Sequence, residues 1–315
     1  MVSSVLLLGS CRQEKLTVFF CDPVSLEIHS RQGLSEQDLE RIAAEKGRQF
    51  LIRRSLPGAQ AEAELTALLQ EREVERVLIT PLFTFDITLA ADRFPDILFI
   101  REEYALPEEL LAAAPASAGV SVRRNNLVRI VYDRDAAFAK AGEAAALLAA
   151  GPGAKSPASS GSARVGILTV PLSERGKREI EAFRAGFAAR AEESLLVERQ
   201  VKPASDRVQA RQALEEMRQN GVELILFKTY GLTGFCLEEL KKSGGLAIIE
   251  DYQGGGGYDE VVILSVEDDL AATYAAALGA DVSPPVLTGE TYLRWGGPKA
   301  IPEPALREEL NFVRE

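Results

Sequence analysis

The chain has 315 residues, of which 46% are hydrophobic and 26% charged, which is enough apolar material for more than one packed core. Its formal net charge of −11 disfavours a nucleic-acid partner, because phosphate binding needs a basic face. Three cysteines without paired spacing and a single histidine indicate no zinc site and no histidine-based catalytic centre. We therefore expect no metal, no cofactor and no enzyme activity, and interpret His29 as a polar loop residue.

The first residues have the features of an export signal. Residues 1–11 form a short apolar stretch that ends in Leu8-Gly9-Ser10-Cys11 and is followed directly by polar residues. This order is similar to the bacterial lipoprotein signal, in which the cysteine sulfur is lipidated. We interpret residues 1–15 as signal and tether, Cys11 as the lipidation site, and the mature protein as extracytoplasmic and anchored to the cell membrane. The alternative is a buried first strand, since the apolar run alone fits one.

Strands and helices alternate in the first half of the chain. Apolar runs of strand length are separated by segments in which apolar residues recur at helical spacing, as at Leu65, Leu68 and Leu69. The strand runs are residues 16–21, 50–52 and 77–79. Parallel strands need crossover connections of this kind, so the pattern predicts a parallel sheet with helices on both faces.

The same order begins again after a linker. A strand at 127–132 and an Ala-rich helix precede residues 151–162, which are rich in loop-forming residues. The pattern then repeats with an offset of about 146 residues, as between Leu78 and Leu224. We predict the α/β fold class, with two similar doubly wound parallel-sheet lobes joined by a hinge. The chain is expected to cross between the lobes near residues 132–135.

The later part of the chain is expected to serve both lobes. Residues 16–133 with about 252–280 are assigned to lobe one, and residues 134–251 with about 281–315 to lobe two. The glycine run at 254–257 lacks the Lys-Ser/Thr ending of a nucleotide loop, and we interpret it as a turn or flexible hinge.

Several stretches resemble one known family. They are Phe94–Ile100, Asn126–Leu148, Arg164–Thr169, Glu179–Phe187 and Ile248–Gln253. These stretches are similar to the basic membrane protein family of substrate-binding lipoproteins. The resemblance implies the type I periplasmic-binding-protein fold, and several members of the family bind nucleosides. The family's Asp- and Asn-rich ligand motif has no clear counterpart in Cys21–Glu27, so both a nucleoside-like and a sugar-like ligand stay open.

Residues that follow the strands are candidates for ligand contacts, because open parallel sheets bind ligands beyond the carboxyl ends of their strands. Carboxylates accept hydrogen bonds from hydroxyl groups, and aromatic rings stack on apolar faces. The predicted ligand-binding residues are Asp22, Phe83, Phe85, Asp86, Asp133, Tyr230, Asp251, Tyr252 and Trp295. One of the two phenylalanines is expected to pack in the core, and Asp86 has the alternative of capping a helix. Asp22 and Asp251 are favoured because no helix start is evident after them.

These features together predict an extracytoplasmic solute-binding lipoprotein. It captures a small hydroxylated ligand between two lobes for an ABC-type transporter. The expected partners are the small-molecule ligand, the permease and the membrane through the lipid anchor, and the protein is expected to be a monomer. Two alternatives stay open, a ligand-sensing lipoprotein without a transport role and an enzyme on a doubly wound fold. Against the enzyme, no Gly-x-Gly-x-x-Gly follows the first strand and no Gly-x-Ser-x-Gly occurs.

Overall fold

The computed structural model describes residues 16–103, 126–150, 164–252, 254, 257–279, 286–297 and 308–314. The strands are β1 Leu16–Cys21, β2 Gln49–Arg54, β3 Val74–Ile79, β4 Leu98–Glu102, β5 Leu127–Tyr132, β6 Arg164–Thr169, β7 Leu196–Gln200, β8 Val222–Lys228, β9 Leu246–Glu250, β10 Val262–Asp268, β11 Val286–Gly289 and β12 Thr291–Trp295. The α-helices are α1 Pro23–Arg31, α2 Glu36–Glu45, α3 Ala61–Glu71, α4 Ile87–Arg93, α5 Asp135–Ala150, α6 Glu174–Ala188, α7 Arg207–Gln219, α8 Thr233–Ser243 and α9 Leu270–Ala277.

The first lobe is built on a six-stranded parallel sheet in the order β11-β5-β4-β3-β1-β2. Along β1, Val18 and Phe20 pack in one buried cluster with α3 and α4, whereas Phe19 and Cys21 pack in another with α1, α2 and α9. Alternate side chains of a strand point to opposite faces, and both faces are apolar here because helices cover both. The expected core positions of Cys21 and Cys236 are confirmed.

The second lobe repeats this arrangement. Its sheet has the order β12-β10-β9-β8-β6-β7, in which β12 is antiparallel to β10 and the other pairs are parallel. Strands β6 to β10 therefore occupy the positions in the second sheet that β1 to β5 occupy in the first. Helices α5 and α6 pack closely, since a Cβ on Gly186 would lie 1.9 Å from the carbonyl oxygen of Ala139. The predicted fold class, two similar doubly wound lobes, is confirmed.

Within the described residues, three segments cross between the lobes. They are residues 132–135, 268–270 and 289–291. The crossings are bonded to each other, because the Asp269 N–H donates to the carbonyl of Glu290 over 2.8 Å and the Thr291 hydroxyl donates to the carbonyl of Asp133 over 3.0 Å. Three adjacent short crossings are the kind of connection about which two rigid lobes rotate.

Two late strands, β10 and β11, lie in a different lobe from the one that the sequence predicts. The pattern places residues 252–280 in lobe one, yet β10 pairs with β9 in the second sheet. It places residues 281–315 in lobe two, yet β11 pairs with β5 in the first sheet. The physical reason is that an apolar run specifies a buried strand but not the sheet edge at which that strand finds its partner.

Some predictions fall on residues outside this description. The predicted signal segment, residues 1–15, and the predicted linker, residues 151–162, lie outside the described residues. In the predicted glycine turn, Gly254 and Gly257 are described, and their φ angles of 80° and 79° lie in the region that favours glycine. None of the helices given above combines the length and the apolar character that a membrane span requires.

Candidate functional site

A cleft of about 520 Å³ lies between the two lobes, where the carboxyl ends of both sets of strands meet. One wall is formed by α1 and the ends of β4 and β5 of the first lobe. The other wall is formed by the start of α6 and the ends of β8, β9 and β10 of the second lobe. Ligands of open α/β sheets bind in this position, so the cleft is the candidate site.

Arg134 lies at the first crossing and gathers three carboxylates around one guanidinium. Its Nε donates to Asp268 Oδ1 over 2.8 Å, and its Nη1 donates to Glu250 Oε1 over 2.7 Å. Its Nη2 donates to Asp251 Oδ1 over 3.0 Å and also to Asp268 Oδ2. Every nitrogen of this buried guanidinium is therefore paired, which is the condition under which a charge is stable in a protein interior.

The ion network continues from Glu250 across the second lobe. Lys228, which is fully buried, donates to Glu250 Oε2 over 2.7 Å and to Glu179 Oε2 over 2.6 Å. Arg175 in turn donates from Nε to Glu179 Oε1 over 3.0 Å. Charges of opposite sign thus alternate from α6 to the hinge and form most of one cleft wall. We call this set the ion network; it comprises Arg134, Arg175, Glu179, Lys228, Glu250, Asp251 and Asp268.

Mutual pairing controls the ionisation of the ion network. Burial alone lowers the pKa of Arg134, but the carboxylates of Asp251, Asp268 and Glu250 more than reverse this and raise it well above its ordinary value. Burial likewise opposes the charge of Lys228, and its two glutamates raise the pKa of its ammonium group. The pKa of Glu250 is lowered, because Lys228 and Arg134 outweigh the effect of its burial. These groups are all charged near neutral pH.

Asp251 is the exception in the ion network. Removal from solvent raises the pKa of its carboxyl to about 7, and the attraction of Arg134 is offset by repulsion from Asp268, Glu250 and Glu267. Its side chain is 31% exposed, more than those of Asp268 and Glu250. One carboxylate of the cleft wall therefore lacks full compensation by a cation and faces the cleft.

The wall of the first lobe centres on His29. Its Nε2 lies 2.9 Å from Glu102 Oε2, which also accepts a hydrogen bond of 3.2 Å from the Tyr274 hydroxyl. The His29 residue is only 2% exposed, yet its Nδ1 has no hydrogen-bond partner among the described residues. A buried polar atom without a partner costs about 1–3 kcal/mol. His29 is therefore a cleft-wall residue with one ring nitrogen that lacks a described partner.

Two predicted site residues, Tyr230 and Asp251, line the described part of the cleft. Tyr230 is 53% exposed, and its ring centre lies 5.7 Å from Lys228 Nζ. Both residues have a positive φ, 45° for Tyr230 and 56° for Asp251, a conformation that is rare for residues other than glycine. Strained residues of this kind concentrate at binding sites, where the surrounding structure holds them in place.

Asp22 and Asp86 serve as helix caps. Asp22 is buried and caps α1, accepting from Ser25 N over 2.8 Å. The expectation that no helix follows Asp22 is wrong, and Pro23 at the first helical position was the available signal. Asp86 caps α4 and accepts from Thr88 N over 2.8 Å, which is the alternative that the sequence left open.

The remaining predicted side chains contribute to packing or to the hinge. Phe83 is buried and Phe85 packs against the same core cluster. Tyr252 is buried and donates to Asp259 over 2.6 Å, and Trp295 is buried in β12. Exposed Asp133 accepts from Asp135 N over 3.1 Å at the first crossing. The expectation that His29 is a polar loop residue is wrong, because it lies buried in α1. Cys11 lies outside the described residues.

Sequence reasoning missed the charged residues that end apolar strands. Lys228 ends β8, Glu250 ends β9 and Asp268 ends β10. A list of candidates that is restricted to the residues after each strand does not include these last residues of the strands. The signal was present, because a charge that closes an otherwise apolar strand is costly unless it is paired across the sheet edge. Arg134, just beyond β5, follows from the same consideration.

Comparisons with known proteins support the fold. No protein-family model matches the chain, and no curated protein matches it significantly. A transcriptional activator of the comK gene from Bacillus halodurans has a similar structure, with 15% identity, a TM-score of 0.65 and coverage of 94% of this chain and 95% of that one. An ABC transporter system solute-binding protein from Conexibacter woesei has 17% identity, a TM-score of 0.63 and coverage of 95% and 94%.

A periplasmic ribose ABC transporter protein from Conexibacter woesei is also similar, with 16% identity, a TM-score of 0.56 and coverage of 90% of this chain and 92% of that one. At these identities the similarity establishes the fold alone. The chain has the two-lobed fold of the periplasmic-binding-protein type, as predicted. Membership of the basic membrane protein family is not confirmed by these comparisons.

The ion network makes Arg134 a strong determinant of stability. We expect Arg134→Gln to lower the free energy of unfolding by about 3–5 kcal/mol, because it leaves three buried or half-buried carboxylates without their shared cation. Urea denaturation followed by circular dichroism measures this. The matched control is Arg218→Gln, which removes an exposed pair with Glu215 and should leave the midpoint unchanged. Equal effects of the two substitutions would contradict the central role of Arg134.

The raised pKa of Asp251 predicts a pH dependence of stability. Between its ordinary value of 3.8 and about 7, the folded state binds more protons at this carboxyl than the unfolded state does. Its contribution to stability is therefore complete at low pH and is lost as the pH rises through about 7. We expect Asp251→Asn, which cannot titrate, to gain stability relative to the unmodified protein between about pH 5 and about pH 8.

Urea denaturation across that range measures the effect of Asp251→Asn. Glu215→Gln is the control, because its hydrogen bonds from Arg218 and Gln219 lower the pKa of Glu215 to about 2, outside the range. Its stability difference from the unmodified protein should stay constant. A constant difference for Asp251→Asn as well would show that this carboxyl does not titrate near neutral pH.

Proposed function

We propose that the chain is an extracytoplasmic solute-binding protein that captures a small hydroxylated solute between its lobes and delivers it to an ABC-type permease. The observation that carries this proposal is the cleft itself. Its two walls come from different lobes, they meet at the carboxyl ends of both sheets, and they contain exposed Tyr230, partly exposed Asp251 and a buried His29 whose Nδ1 has no described partner. Capture of a solute requires these features and no catalytic group.

The size of the cleft and the hinge suit this function. A volume of about 520 Å³ lies within the range of about 300–1,000 Å³ that small-molecule sites occupy. A solute that contacts both walls favours the closed arrangement of the lobes, because it binds that arrangement better than the open one. The three crossings allow such closure without unfolding of either lobe.

The chemistry of the walls favours a hydroxylated solute, either sugar-like or nucleoside-like. Asp251 accepts hydrogen bonds, the Tyr230 ring offers an exposed face for stacking, and His29 Nδ1 lacks a partner among the described residues. The two similar proteins from Conexibacter woesei, a solute-binding protein and a ribose transporter protein, support this class of function.

The proposal includes a membrane anchor. Cys11 is its lipidation site, as the similarity of residues 1–11 to lipoprotein signals indicates, and the protein acts as a monomer. A lipoprotein that senses the solute without transporting it would use the same cleft with a different partner.

A thermal-shift screen of nucleosides, sugars and cyclitols tests the proposed function. A solute present at 100 times its dissociation constant should add about 2.7 kcal/mol of stability. We expect Tyr230→Ala to weaken binding of that solute about tenfold, because it removes the stacking surface. The melting temperature without solute should not change, since the ring is already half exposed.

Tyr230→Phe is the matched control, because it keeps the ring and removes only the hydroxyl group. Binding close to that of the unmodified protein is expected for this variant. If no hydroxylated solute raises the melting temperature, or if Tyr230→Ala binds as tightly as Tyr230→Phe, the proposed use of the cleft is wrong.

A further inference from the structure

The ion network contains four carboxyl groups and three cations. Its carboxylates are Glu179, Glu250, Asp251 and Asp268. Its cations are Arg134, Arg175 and Lys228. Glu102, on the opposite wall, adds a further carboxylate to the described lining, where it is paired with His29. The described walls therefore hold more carboxyl groups than cations.

The uncompensated charge is located at Asp251. Lys228 lies between two glutamates, and Arg175 pairs with one of them, whereas Arg134 alone serves three carboxylates. Asp268 binds Arg134 through both of its oxygens and is 7% exposed in its side chain. Asp251 is 31% exposed, and its second oxygen is 3.3 Å from the same nitrogen as its first. It is the outermost and least well paired member.

Each cation of the described lining forms an ion pair with at least one carboxylate. Arg134, Arg175 and Lys228 each donate to at least one of them over 3.0 Å or less. An anionic group of a solute would meet these carboxylates at close range, and each cation near it already has a carboxylate partner. Within the described residues there is also no group of three or more potential ligands arranged to hold a metal ion. A cationic group of a solute can therefore supply a counter-charge to Asp251 without displacing a described partner.

The opposite wall points to the same solute independently. His29 Nδ1 is buried in the cleft wall without a described hydrogen-bond partner, while Nε2 of the same ring is occupied by Glu102. A ring nitrogen forms one directional hydrogen bond, which suits a hydroxyl group. One wall thus offers a hydrogen bond for a neutral polar group, and the other offers a carboxyl group, Asp251, that shares Arg134 with two other carboxylates.

We propose that the solute is a hydroxylated amine, such as an amino sugar, an amino cyclitol or an amino nucleoside, whose ammonium group binds Asp251 and whose hydroxyl group pairs with His29 Nδ1. This inference rests on the proposed function. The ammonium group supplies a second positive charge beside Asp251, which otherwise shares Arg134 with Glu250 and Asp268. A charge-assisted hydrogen bond of this kind is about twice as strong as a neutral one, which gives the cleft its selectivity.

Matched pairs of solutes test the inference on the full chain by isothermal titration calorimetry. The pairs are D-glucose with D-glucosamine, D-ribose with 5-amino-5-deoxy-D-ribose, scyllo-inositol with scyllo-inosamine, and adenosine with 5′-amino-5′-deoxyadenosine. We expect the amine of at least one pair to bind at least about tenfold more tightly than its neutral partner. D-Glucuronate, the anionic counterpart of glucose, should not bind.

The variant Asp251→Asn tests whether the preference for the amine comes from this carboxylate. Asp251→Asn keeps the size of the side chain and removes its charge, so it should cost the amine at least about tenfold more affinity than it costs the neutral partner. Glu215→Gln, an exposed change of the same type on α7, should leave both affinities unchanged. The comparison of solutes on the unmodified protein decides the inference even if the variant fails to fold.

The outcomes separate the two proposals. If the neutral solute binds as tightly as or more tightly than its amine partner in every pair that binds, the inference is overturned and the proposed function stays intact. An amine preference that survives in Asp251→Asn would overturn the assignment of the ammonium group to this carboxylate. If no member of any pair binds, the proposed function fails and the inference fails with it.

Discussion

The arrangement of ions around Arg134 is the interaction on which the rest of the structure depends. Arg134 lies at the first crossing between the lobes, and its partners Asp268 and Asp251 lie at the end of β10 and just after β9. Strand β10 leads directly into the second crossing. One buried side chain thus joins two crossings and one wall of the cleft. Because a buried charge is stable only with its partners in place, the relative positions of these segments are tightly determined.

The pairing of the buried charges around Arg134 also influences which side chains face the cleft. Asp251 must adopt a positive φ for its carboxylate to reach Arg134, and Tyr230 adopts one beside Lys228, so that its ring borders the cleft. On the other lobe, Glu102 occupies one nitrogen of His29 and leaves the other without a described partner. The ion network therefore accounts both for the rigidity of the walls and for the groups on them that a solute can bind.

The sequence was sufficient to predict the fold but only part of the site. Alternating apolar runs and the offset between Leu78 and Leu224 predict two similar lobes, because periodicity depends on local burial. The same periodicity cannot assign β10 and β11 to their sheets, since partner choice is a property of the whole fold. Asp251 and Tyr230 could be predicted as site residues because they come just after strands. For Arg134 and Lys228 the charge next to an apolar strand indicates that each is paired, but the sequence does not identify the partners, such as Asp268 and Glu179, which lie far away in the chain.

The crystal structure of the protein with the tightest-binding amine from the matched pairs would test the central claim most directly. We predict that the solute lies between the lobes, with its nitrogen within hydrogen-bond distance of Asp251 and a hydroxyl oxygen within the same distance of His29 Nδ1, and that the Arg134 contacts are retained. A solute bound to one lobe only, or a nitrogen placed away from Asp251 with the ion network broken, would contradict the account.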